Sequence, residues 1–63
     1  MIHPDQLTEP QVREILNDFV TILAFYEGVS LKEEHEMSAD DPKMVRWRET
    51  AESLWNAVKD AIA

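Results

Sequence analysis

Side chains able to do acid–base or metal chemistry are concentrated in one stretch, Glu33-Glu34-His35-Glu36. Carboxylates beside an imidazole can hold a divalent cation. The spacing argues against it here: adjacent residues on a helix point about 100° apart and do not converge on one ion. The Glu-x-x-His step of di-metal carboxylate bundles is also missing, because Lys32 stands three residues before His35. The stretch is therefore expected to be a solvated acidic connection. Glu33, Glu34 and Glu36 are then candidates for contact with a cationic partner rather than ligands of a metal.

The remaining chemistry-bearing residues are scattered. His3 sits in the lead-in without a partner in sequence, which reads as an exposed terminal side chain. There is no cysteine, so neither a disulfide nor a thiolate zinc site is expected. Gly28 is the sole glycine, which excludes a glycine-rich phosphate cradle. Ser30 and Ser38 are placed as helix caps, and Ser53 falls on a polar helical position. No nucleophile–base pairing emerges, and neither catalysis, a cofactor nor a metal is expected. Trp47 and Trp55 are eight residues apart on one side of a helical pattern. They suit either a core or the anchors of an interface.

The elements that must position these residues are helical. From Met44 onward, apolar residues fall at Met44, Trp47, Ala51, Leu54, Val58 and Ala61, with Trp55 and Ile62 widening the stripe. Steps of three and four make this the buried face of an amphipathic helix. Asp41 before Pro42 gives it an N-cap and a first-turn proline, so a helix is expected over about 42–62. An earlier helix is announced by Thr8 with Gln11, a capping box, and by Pro10 in the first turn. Gly28 supplies its left-handed stop, giving a helix over about 9–27. Its seam is expected at Val12, Leu16, Phe19, Leu23 and Tyr26, with Ile15, Val20 and Ile22 flanking and Phe25 further round. This apolar breadth exceeds what one neighbouring helix covers. Between the two lies the acidic connection 28–41, long enough to hold a short helical turn over Leu31–Met37 capped by Ser30.

Sixty-three residues make one small all-α domain, 1–63, of the antiparallel two-helix hairpin type with a short extra helix allowed in the connection. A hairpin of this size would leave parts of Trp47, Trp55, Phe19 and Tyr26 wet. The pattern predicts a homodimer in which two hairpins form a four-helix bundle, with a monomeric three-helix fold as the rival.

Thirteen acidic residues against six basic ones give a net charge of −7. That works against direct nucleic-acid binding and against anionic membranes, and it favours a partner with a basic surface. No apolar run approaches the ~18 residues of a membrane span. The first residues have neither a basic start nor an apolar core, so no secretory signal is expected there. A cytoplasmic location follows as the expectation. The function these features favour is that of a small, non-enzymatic interaction or regulatory protein, of the size found in phage and mobile elements, acting by stoichiometric binding. Val20 and Phe25 are the expected docking edge, with Trp47, Trp55 and the acidic residues Glu33, Glu34 and Glu36 contributing. The alternative is an acidic mimic of nucleic acid that occupies a DNA- or RNA-binding protein.

Overall fold

The computed structural model describes residues 6–62, so His3 and its expected exposure lie outside the described residues. The described residues form three helices and no strand: α1 (Glu9–Tyr26), α2 (Leu31–Glu36) and α3 (Pro42–Ile62).

Local chemistry starts and stops each helix. Thr8 and Gln11 form a reciprocal capping box: Gln11 N–H donates to Thr8 Oγ1 at 3.4 Å, and Thr8 N–H to Gln11 Oε1 at 2.8 Å. At the other end Gly28 takes φ +81°, the left-handed region that a side chain would strain. Val29 N–H then reaches back to Ala24 O at 2.9 Å and Gly28 N–H to Phe25 O at 3.0 Å, which is a complete Schellman stop. Ser30 caps α2 by accepting from Glu33 N–H at 3.2 Å. Asp41 opens α3, its carboxylate accepting from Lys43 N–H at 2.9 Å while Pro42 fills the first position.

α1 and α3 lie side by side and run in opposite directions. Glu27, just past the end of α1, meets Arg46 and Trp47 near the start of α3, whereas Leu16 lies with Ala51 and Glu52 further along. The core between them is Val20, Ala24, Met44, Trp47 and Ala51, flanked by half-buried Leu16, Phe19, Leu23, Val29 and Met37. Ala51 is wholly buried and Ala24 nearly so. Two small residues at the contact let the helices close around the indole of Trp47, which a larger pair would hold apart.

The connection holds a short helix, as its length and the Ser30 cap predict, and α2 packs onto α1. The arrangement corrects the sequence pattern in two places. The buried face of α1 is centred on Val20 and Ala24, not on the expected seam: Val12, Phe19 and Leu23 are half-buried and Tyr26 is exposed. A count of large apolar residues passes over Ala24, whose small side chain marks where the helices come closest. Finally, Trp47 and Trp55 are buried within the chain instead of standing partly wet, and Leu54, Val58, Ala61 and Ile62 are the exposed members of that stripe. The Lys59 ammonium lies 5.9 Å from the centre of the Trp55 ring and covers its outer side.

The molecule is a thin rod of 33 × 19 × 19 Å. Its radius of gyration is 12.6 Å, against about 10.6 Å for a compact chain of this length.

Candidate interaction surface

The described surface holds three features with functional potential: an apolar tip, an ion-pair clasp and a buried carboxylate. The tip is built where α1 ends. Phe25 is 77% exposed and Tyr26 85%, although both belong to a helix whose other face is core. Leu31, the first residue of α2, is also exposed. Phe25 forms one wall of a shallow depression of about 250 Å³ whose floor is Gly28, Val29 and Ser30. The Schellman stop determines this geometry. Val29 turns inward to the core, Gly28 leaves backbone bare, and Phe25 is left standing beside the bend. Glu33 and Glu36 are exposed on the adjoining α2.

The clasp is centred on Glu27. Arg46 Nη2 donates to both of its carboxylate oxygens, at 2.6 and 2.7 Å, and Trp47 Nε1 donates to Oε2. The indole N–H donor of a buried tryptophan is thereby satisfied. The Trp47 hydrogen bond, and next to it that from Arg46, holds the Glu27 carboxyl below its ordinary value. The clasp ties the C-terminal end of α1 to the start of α3 and uses one of the three cations in the basic cluster Lys43, Arg46 and Arg48.

The third feature is Glu34. It was expected in a solvated acidic loop, yet it is only 8% exposed. Thr21 shares its hydroxyl proton between Glu34 Oε1, at 3.0 Å, and the Asn17 carbonyl of its own helix, at 3.1 Å. Among the described residues Glu34 Oε2 accepts no hydrogen bond, and His35 Nε2 lies 3.4 Å from it. An open groove of about 290 Å³ runs past this pair, and Arg48 lies along its rim. The device fixes α2 against α1. One sequence signal points to it: Glu34 stands three residues before Met37, on the face of α2 that turns to the core.

The expected interaction residues are therefore split. Phe25, Glu33 and Glu36 are on the surface. Val20, Trp47, Trp55 and Glu34 are inside the chain and reach no partner without opening it. Exposed Ile22, Tyr26, Leu31, Val45, Leu54, Val58 and Ile62 lie outside the expected docking set. Their phase on the two helices could have shown them, once the buried face was centred on the alanines.

Among the described residues, no three His, Cys, Asp or Glu side chains stand close enough to hold a metal ion. No helix among them is long and apolar enough to cross a membrane. Comparison with family models, curated proteins and solved structures finds no match, so the fold and the surface are read from this chain's own residues.

Proposed function

We propose that this chain is a non-enzymatic interaction module that works as a homodimer, two α1–α3 pairs packing into a four-helix bundle, and binds another protein stoichiometrically. The observation that carries the reading is the apolar tip. A chain with a small core leaves Phe25 and Tyr26 almost fully in water, and large exposed apolar side chains grouped beside charged ones mark protein contacts. The depression at Gly28–Ser30 gives the tip a socket as well as a knob. Beside it, α2 presents Glu33 and Glu36, so the favoured partner offers an apolar side chain flanked by cations. The hydroxyls and carboxylates that might otherwise do chemistry have structural work: Thr8, Ser30 and Asp41 cap helices, and Glu27 clasps α3.

The test is capture from a native lysate at low and high salt with the wild type and with Phe25→Glu and Leu31→Glu. A partner held at both salt concentrations by the wild type and lost with either variant supports docking at the tip. Capture that ignores both substitutions overturns it. Capture that ignores them and also falls steeply with salt transfers support to charge mimicry of nucleic acid, whose binding is dominated by counterion release.

A further inference from the structure

The flank of the α1–α3 pair opposite α2 carries a second apolar seam, and the geometry points to a second copy of this chain as its occupant. The inference rests on the homodimer reading above and names the face that reading requires. Counted from buried Val20 at about 100° per residue, Thr21 lies about 100° round one way, where it holds α2. Phe19, Tyr26 and Ile15 lie about 100–140° round the other way, and Ile22 about 160°. Ile15, Phe19, Ile22 and Tyr26 follow one another at steps of four, three and four. That is the heptad spacing of a helix that packs along a partner helix. Ile22 and Tyr26 are exposed, and Ile15 and Phe19 only half-buried.

α3 contributes to the same flank. Arg48 borders the groove on α2's side. Leu54, six residues on, is turned about 120° away from it, onto the opposite edge of the buried stripe, and is exposed. Ala57 and Ala61 continue that edge with side chains small enough for a close approach.

Two quantities select a copy of the same chain over other occupants. The first is charge. Each molecule carries −7, so two copies repel unless they meet through a face without unpaired carboxylates. This flank comes close to such a face among the described residues: Glu27 is neutralised by Arg46, and Asp18, one turn before Ile22, stands at its outer border. Glu14 and Asp18 fall on α2's side or the outer surface of α1, as Glu49 and Glu52 do on α3. A basic partner would find only Asp18, at the border, to pair with here. The second is area. A compact protein of this mass exposes about 4,200 Å², and this one exposes 4897 Å². The excess, about 700 Å² summed over the whole chain, is of the order of the ~800 Å² that each partner gives to a standard interface. Phe25 lies about 140° from Val20 on α2's side, so Phe25 and Leu31 stay free as the docking tip when the flank covers Tyr26.

Sedimentation equilibrium at micromolar concentration tests the assignment, with wild type, Ile22→Glu, Tyr26→Glu and Phe25→Glu compared. Wild type and Phe25→Glu are expected at twice the chain mass. Ile22→Glu and Tyr26→Glu are expected at half that, with helical circular dichroism retained. Tyr26 is so exposed that its replacement spares the monomer fold even if Ile22→Glu does not. A dimer that survives both seam variants overturns the face while leaving self-association standing. A wild type that sediments as a monomer overturns both, and the Phe25 tip is then judged by capture alone.

Discussion

Thr21 and Phe19 stand about equally far from Val20 on opposite sides of α1, and the two sides are finished differently. On Thr21's side the chain closes over itself: α2 lies against the helix, and a hydroxyl–carboxylate contact fixes it. On Phe19's side no element among the described residues returns, and aromatic and branched side chains are left at the surface. A small chain can cover one flank of a helix pair with a short polar element because hydrogen bonds give that element a unique seat. Such a seat adds little net stability, since each bond replaces one to water. Apolar surface works the other way. It gives no unique geometry alone, but burying it is worth ~25 cal/mol per Å². The closed flank therefore supplies specificity within the chain, and the open flank retains free energy for association.

The largest expected effect comes from the element both flanks share. Trp47→Ala removes the largest buried side chain and strips Glu27 of its indole donor. Large-to-small changes of this kind cost about 3–5 kcal/mol. Domains of this size hold about 3–9 kcal/mol in total. The variant is expected to lose cooperative unfolding in urea followed by far-ultraviolet circular dichroism. A midpoint close to wild type would mean that the two flanks are stabilised separately and that no common waist exists.

The next effect isolates the closed flank. Thr21→Val keeps the shape of the side chain but removes the one hydrogen bond that the described residues give the buried Glu34 carboxylate. Leaving such a group unsatisfied is expected to cost about 1–3 kcal/mol. Adding Glu34→Leu removes the stranded group as well, and the double variant should recover most of the loss. A double-mutant cycle by urea denaturation measures the coupling directly. Additive effects would show that Glu34 owes its burial to the packing of α2 alone.

How much of this was legible in the sequence follows from what each signal is made of. Thr8, Gln11, Gly28, Ser30, Asp41 and Pro42 act through neighbours within a few residues, so the sequence alone identifies them as caps and stops, and the structure shows all of them working. The centre of the helix contact was less legible. Large apolar residues mark a broad arc, but the line of closest approach is set by Ala24 and Ala51, which carry little weight in any hydrophobic count. The inward turn of Glu34 was hidden for a different reason. A glutamate among Glu33, Glu36 and His35 looks solvated until the phase of a six-residue helix is known. Its partner Thr21 is thirteen residues away, so no local pattern joins them. Of the surface features, Phe25 stood out by its distance from the seam. Tyr26 fits the seam's spacing and is expected to be only partly wet, whereas the true centre of the buried face turns it fully outward.

The smallest effect is expected at the clasp, where the open flank meets the end of α1, and its pH dependence separates it from the others. The Glu27 carboxyl is held below its ordinary value by Trp47 and Arg46. A carboxyl with a lowered folded value stabilises the fold at and above the ordinary carboxyl range, and that contribution disappears as pH falls through the lowered value. Glu27→Gln should therefore melt below wild type at neutral pH, and the two curves of melting temperature against pH should converge in acid. The clasp is open to solvent, so added salt should shrink the neutral-pH gap. Salt should leave the Trp47→Ala and Thr21→Val losses almost unchanged, because those depend on packing and on a buried hydrogen bond. A gap that persists into acid would assign the role of Glu27 to shape at the end of α1 instead of charge. The open flank would then contain a side chain without a neutralising function, and the case for two acidic copies meeting there would lose its electrostatic basis.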